Sequence, residues 1–314
     1  MHTFKVRAWN CGGLRASTPS TNKKTMFFEK EFKTDFDIFV FLETHHKTKN
    51  DIPPDILRYQ TTHHIIHTKV AEKDTHTGIL ALISKDFDII KVNNLIQGRV
   101  LNIKIRNTKD KKQLNISAVY LHTNNHITKA KVEEVVTKLK QENEEHPNNI
   151  IVGDFNFIDH EKDKINGLNS ADKLACKSWQ PFLAETDMVD PFREHNPKRR
   201  IWSFIGTGKA GNSRIDRVYV NAINMINVKN TQYIQTPLGG HRILSFTIKD
   251  QNKTGKGYYK LNTSILTDAK YKKLVQETIE ELEHLAIQDE IEQWQTLLLT
   301  IRSKSICYSQ KKAK

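Results

Sequence analysis

The sequence predicts an α/β fold, and three observations carry that prediction. Apolar runs rich in β-branched and aromatic residues, Ile150-Ile151-Val152 and Phe36-Asp37-Ile38-Phe39-Val40-Phe41-Leu42 the clearest, read as strands covered on both faces. Each stops abruptly in polar side chains. Leu114 to Tyr120, a further strand, is followed by an amphipathic stretch and then by the Ile150 strand, which is the order of a strand-helix-strand crossover.

Taken in chain order, Phe4-Lys5-Val6-Arg7-Ala8-Trp9 alternates as a strand does and delivers Asn10-Cys11-Gly12-Gly13-Leu14, where paired glycines permit a tight turn. A polar, Lys-rich stretch spans Asn22 to Thr34. The Phe36 strand then ends in Glu43-Thr44-His45-His46. From Thr61 to Asn115 short, closely spaced runs at His64-Ile65-Ile66-His67, Gly78 to Ile83, Ile89 to Val92 and Val100 to Ile105 predict antiparallel strands. Thr128 to Glu145 predicts a helix with Val132, Val135, Val136 and Leu139 on one face, stopped by Pro147. Ile150-Ile151-Val152 runs into Gly153-Asp154-Phe155-Asn156, where Gly frees the backbone and an acid and an amide follow. Ser170 to Leu183 predicts a second helix. Pro197-Lys198-Arg199-Arg200 is a basic turn before Ile201-Trp202-Ser203-Phe204, and Arg214-Ile215-Asp216-Arg217-Val218-Tyr219-Val220 is a strand with an acid near its start. Thr236-Pro237-Leu238-Gly239-Gly240-His241 opens the last strand, Ile243 to Ile248. Asp250 to Gly257 is polar and Gly-containing, a domain boundary. Beyond it two amphipathic helices lie between about Asp268 and Ser305; too small to fold alone, they should pack on the main body or on another segment.

Composition bounds the function. The 314 residues carry 49 Lys+Arg against 36 Asp+Glu, a net +13 spread along the whole length, which favours phosphate-rich partners unless it reflects a generally basic proteome. Cys11, Cys176 and Cys307 are odd in number and far apart, so neither a disulfide framework nor a zinc site is indicated. No run approaches the ~20 apolar residues of a membrane span, and no membrane partner is expected. An intracellular protein is expected, acting in the nucleus if its target is genomic DNA.

Asn10, Glu43, Tyr120, Asp154, Asn156, Asp216 and His241 all fall at ends of apolar strands. Singly each has a bland reading, as a turn former, a cap or a packed side chain. The ordered set resembles the endonuclease/exonuclease/phosphatase superfamily over roughly residues 1–250, on Trp9-Asn10-Cys11-Gly12-Gly13-Leu14, Leu42-Glu43-Thr44, Val119-Tyr120, Gly153-Asp154-Phe155-Asn156, Ser213-Arg214-Ile215-Asp216 and Gly240-His241. Within it the chain looks most like the endonuclease domain of non-LTR (LINE-type) retrotransposons. Residues 251–314, with Tyr258 to Leu266, Trp294 and Ile301 to Ile306, are similar to the linker that precedes a reverse transcriptase there. An N-terminal portion, a truncated copy and a host-retained remnant all fit.

The resemblance implies a four-layer α/β sandwich of two mixed sheets flanked by helices, with a C-terminal helical extension. It implies Mg²⁺, or Mn²⁺ in its place, held by Glu43 with help from Asn10. Asp154 beside Asn156 would handle the attacking water, and His241, held by Asp216, would with Tyr120 stabilise charge on the phosphate. Lys198, Arg199, Arg200, Ser203 and Arg214 would contact duplex DNA, and a reverse transcriptase region would be a partner. Two positions depart from the family pattern. Gly240 stands where Asp usually precedes the final His, and Gly12 where many members have Asp or Asn. A Mg²⁺-dependent DNA endonuclease that leaves a 3′ hydroxyl is the leading expectation. A weakened or inactive nucleic-acid-binding remnant, and a phosphatase acting on smaller phosphoesters, remain open.

Overall fold

The computed structural model describes residues 3–16, 19–33, 35–123, 126–143, 148–206, 211–238, 240–249, 261–285 and 289–313. The boundary segment 250–257, the linker residues 258–260, Pro147 and Gly239 lie outside the described residues. In chain order the elements are β1 (Thr3–Asn10), α1 (Pro19–Phe32), β2 (Ile38–Leu42), α2 (Pro54–Leu57), β3 (His63–Thr68), β4 (Ile79–Ser84), β5 (Phe87–Ile96), β6 (Val100–Asn107), β7 (Gln113–Tyr120), α3 (Lys129–Asn143), β8 (Asn149–Asp154), α4 (Ser170–Glu185), β9 (Met188–Val189), α5 (Pro191–His195), β10 (Phe204–Ile205), β11 (Asp216–Asn221), β12 (Val228–Ile234), β13 (Gly240–His241), β14 (Ile243–Lys249), α6 (Ala269–Glu283) and α7 (Glu290–Lys312).

Twelve of the strands form two six-stranded sheets, ordered β12-β14-β1-β2-β4-β3 and β5-β6-β7-β8-β11-β9. Each sheet is mixed, with one parallel pair at its centre: β1 with β2 in the first and β7 with β8 in the second. The inward faces interleave Val6, Ala8, Val40 and Ala81 with Ile103, Ala118, Val152 and Val218 to make the central core. On the outer side of the first sheet, Trp9, Phe39, Phe41 and Leu82 pack under Phe28 and Phe32 of α1 and Ile56 of α2. On the outer side of the second, Val119, Ile151 and Tyr219 pack under Val132, Val135 and Leu139 of α3 and Trp179 and Phe182 of α4. Helix, sheet, sheet, helix gives the four layers that the resemblance implied.

Strands buried on both faces cannot alternate apolar with polar, which is why Ile38–Leu42 and Ile79–Ser84 read as continuous apolar runs. The parallel pairs decide where chemistry collects. Because β1 and β2 run the same way, Asn10 and Glu43 leave the first sheet at one edge; because β7 and β8 do, Tyr120 and Asp154 leave the second at one edge. Strand β11 is antiparallel to β8 and starts there, with Asp216 opposite Asp154.

The stretch expected only as polar and Lys-rich is helix α1. Its buried positions, Thr21, Lys24, Thr25, Phe28 and Phe32, hold a helical spacing, but three of the five are polar, so the apolar stripe is masked. Lys24 is buried because its ammonium donates to the carbonyls of Gly12 (2.8 Å) and Gly13 (2.6 Å), tying α1 to the turn after β1. Helices α6 and α7 lie against the body: Ile306 and Cys307 of α7 enter the central core, and Arg302 and Ser303 bond Asp187 at 2.7 and 2.8 Å.

Candidate active site

All seven strand-end residues converge at one edge of the sandwich. Asn10 joins the two sheets. Its Oδ1 accepts the Gly12 N–H at 3.0 Å, and its Nδ2 donates both to Glu43 Oε2 (3.0 Å) and to Asp154 Oδ2 (2.8 Å). Glu43 is the first residue past β2 and has φ +57°, an uncommon conformation for a side-chain-bearing residue, adopted here as the carboxylate bonds to groups from both sheets. The Tyr120 hydroxyl donates to Glu43 Oε2 at 2.9 Å, and His45 Nε2 stands 3.3 Å from Oε1. Burial pushes the Glu43 carboxyl up, but contacts with His45, Asn10 and Tyr120 outweigh it and hold the group below its usual range, an anion. Tyr120 moves the opposite way: burial, then the Glu43 and Asp154 charges, raise the phenol, so it stays a donor.

Asp154 is wholly buried. Its Oδ1 accepts the Asn156 N–H at 2.9 Å, and Asn156, at φ +54°, ties its own amide nitrogen to the Leu121 carbonyl at 2.8 Å. Burial, and then the neighbouring Asp216 charge, raise the Asp154 carboxyl well above the carboxylate range, against the pull of His241, Asn10 and the Asn156 N–H. His241 lies between the two acids, with Nδ1 2.9 Å from Asp216 Oδ2 and Nε2 3.7 Å from Asp154 Oδ2. Burial lowers its pKa, but the Asp216 and Asp154 charges and the hydrogen bond to Asp216 overcome this and lift it to about 9. The imidazole is therefore cationic at neutral pH, with Phe204 packed on it at 4.8 Å between ring centroids.

Two expected DNA contacts are corrected. Arg214 is fully buried, its guanidinium bonded to Asp163 through Nε (2.8 Å) and Nη2 (2.6 Å) and paired with Asp190 at 2.6 Å. A fork so occupied cannot reach a phosphate from inside the protein. Ser203 is also fully buried; its Oγ accepts the N–H groups of Ile215 and Asp216, each at 2.9 Å, and its carbonyl accepts the Arg242 N–H at 2.6 Å. It sets the start of β11 and the ribbon β10-β13 that carries His241. Lys198, Arg199 and Arg200 are exposed. His45, at φ +62°, is a site residue that sequence reasoning quoted without giving it a role; its signal was its place two residues after Glu43.

The donor chemistry fits a divalent cation on one side of the site. Asp154, Asp216 and His241 have ligand atoms all within 4.8 Å of one another. Within this trio His241 Nδ1 is engaged by Asp216, and Nε2 faces Asp154 as an ion pair. Glu43, anionic and partly exposed with the Asn10 amide beside it, suits a hard cation that takes few carboxylates and completes its shell with water and phosphate oxygens. Gly12 (φ +53°) and Gly240 (φ +71°) border the site, and among the described residues no atom beyond their chain neighbours lies within 4 Å of where a Cβ would stand at either.

The family model for the Endonuclease/Exonuclease/phosphatase family matches residues 8–230. The chain belongs to this family. Among curated relatives of this family member is the Transposon TX1 uncharacterized 149 kDa protein of Xenopus laevis, 25% identical over 209 residues. That match takes in 65% of this chain and 16% of the relative, so the chain spans about a sixth of that protein's length. Among solved structures, AP endonuclease LMAP from Leishmania major is similar with TM-score 0.65 and 14% identity, over 79% of this chain and 88% of that one. The endonuclease domain of TRAS1, a telomere-specific non-LTR retrotransposon, is similar with TM-score 0.55 and 13% identity, over 79% and 99%. The family and the likeness to retrotransposon endonucleases agree with the motifs read from the sequence.

Proposed function

We propose that this chain is a Mg²⁺-dependent DNA endonuclease that hydrolyses one phosphodiester of a duplex and leaves a 3′ hydroxyl. The observation that carries the reading is the continuous hydrogen-bonded set Tyr120, Glu43, Asn10 and Asp154, continued through His241 to Asp216, which joins both sheets at one mouth. Asp154, oriented by N–H groups of Asn10 and Asn156 and with its basicity raised, takes a proton from the attacking water. The water oxygen forms the new bond to phosphorus and leaves a 5′ phosphate, while the bond to the 3′ oxygen breaks and that oxygen, departing as an alkoxide, takes a proton from solvent water to become the 3′ hydroxyl. His241, held cationic by Asp216, presents N–H to a non-bridging phosphate oxygen, where charge grows as the reaction proceeds. Mg²⁺ at Glu43 would neutralise phosphoryl charge. The net +13 and the exposed Lys198-Arg199-Arg200 turn favour binding of a polyanion. On this reading the chain works with a reverse transcriptase region, in the nucleus when the target is genomic DNA.

The test is supercoiled-plasmid nicking in Mg²⁺ and in EDTA, run beside a phosphate-release assay on soluble phosphoesters. Open circles formed only with Mg²⁺, at nicks that a DNA polymerase extends directly, support the proposal. DNA binding in EDTA with no cleavage in Mg²⁺ would instead mean a binding remnant, as the glycines at positions 12 and 240 would explain. Phosphate release without nicking would mean a phosphatase.

A further inference from the structure

We infer that Arg217 is a positioning residue for the turn that carries Asp154 and Asn156, holding it from the side opposite the mouth. The inference rests on the proposed hydrolysis for its kinetic consequence and on geometry for its mechanics. Successive residues of a strand face opposite ways, so while Asp216 meets His241, Arg217 points to the other side of β11. There it pairs across the sheet with Gly153, the residue before Asp154.

Arg217 is wholly buried, and its Nη1 donates to the Phe157 carbonyl at 2.6 Å. Phe157 lies three residues past Asp154, at the far end of the segment that carries Asn156. The guanidinium carbon lies 5.0 Å from the Phe155 ring centroid, 4.8 Å from Phe157 and 5.7 Å from Tyr219, so three aromatic rings enclose it. Asp159 pairs with it at 3.6 Å and also accepts the Tyr219 hydroxyl at 2.5 Å. Nε and Nη2 have no hydrogen-bond partner among the described residues. An apolar side chain of this length would fill such a cage without the cost of desolvating a charge. What it could not do is bond the Phe157 carbonyl while gripping the rings on either side of Asn156.

Asn156 needs such a grip. Asn tolerates φ +54° better than other side-chain-bearing residues, but this conformation still costs more than the right-handed one and leaves the exact placing of the turn to its contacts. The front of the turn is held by the bond from Asn156 Nδ2 to Leu121; Arg217 supplies the hold from behind. Loss of that hold shifts Asp154 and Asn156 relative to bound phosphate without touching the DNA-binding surface.

The experiment compares Arg217→Met, Arg217→Lys and a core variant of matched melting temperature, Ile103→Ala, in the full chain. Plasmid nicking is measured as kcat and KM, and hydrogen exchange of the Phe155 and Asn156 amides is followed by NMR. Arg217→Met is expected to lower kcat by about 10- to 100-fold with KM changed by less than about twofold. Both amides exchange faster, Arg217→Lys falls between the two, and Ile103→Ala leaves kcat and exchange near the wild-type values. Arg217→Met behaving like Ile103→Ala in both readouts overturns the inference. If Arg217→Met does not fold, the same comparison is made with Arg217→Lys. If the wild-type chain does not nick, the proposed function fails, while the exchange comparison still decides whether Arg217 holds the turn.

Discussion

His241 shows how much two neighbouring carboxylates can set. Without Asp216 and Asp154, burial would leave its imidazole neutral and unable to donate from both nitrogens; with them it titrates at about 9 against an ordinary 6.5. A folded-state pKa raised in this way stabilises the protein fully below the unfolded value and loses that contribution as pH rises through about 9. The raised Asp154 pKa acts in the same direction, since burying that group charged becomes a cost once pH passes the ordinary carboxylate range. In EDTA, the His241 ring ¹⁵N signals are therefore expected to titrate near pH 9 in the wild type and markedly lower in Asp216→Asn. An unchanged midpoint in Asp216→Asn would separate the two side chains. At this scale the sequence was legible where the candidate site residues stand at strand ends: Asn10, Glu43, Asp154 and His241 each follow or open an apolar run. It misled at Arg214 and Ser203, because a basic or hydroxyl residue beside a motif looks the same whether it faces DNA or is consumed by Asp163 or by backbone N–H groups. Only the fold shows which.

At the scale of elements, the close approach of β7 and β8 is what brings Tyr120 beside Asp154. Gly153 makes it feasible, since a Cβ there would stand 1.9 Å from the Val119 carbonyl oxygen and 2.8 Å from its carbon. Backbone cannot yield as a flexible side chain can. Gly153→Ala is expected to force the two central strands apart and to cost at least about 3 kcal/mol, read as a lower urea midpoint. A midpoint equal to the wild type would show that the pair is less tightly joined than its register implies. The glycine was visible in the sequence as a residue that frees the backbone before Asp154, yet its steric reason lies in a strand about thirty residues earlier. Helix α1 was hidden for a related cause. Its buried stripe contains Thr21, Lys24 and Thr25, whose burial makes sense only once the Gly12 and Gly13 carbonyls are known to receive the lysine.

Across the whole molecule, two mixed sheets packed face to face put their parallel central pairs at one edge, and the candidate catalytic set is assembled from both. Neither sheet holds it alone: Asn10 and Glu43 come from the first, Tyr120, Asp154 and Asp216 from the second, and His241 from the ribbon beside them. The long-range order was legible because each strand was read with its terminal residue, whereas sheet order and the short strands β9, β10 and β13 carry too few residues to show a period. The most direct measurement of the central claim is Mg²⁺-dependent nicking of supercoiled plasmid by the wild type and by Asp154→Ala at equal protein concentration. The wild type is expected to form open circles, and Asp154→Ala to do so at least about 10²-fold more slowly while still folded by circular dichroism. Nicking by Asp154→Ala at the wild-type rate would contradict the assignment of this edge as the active site.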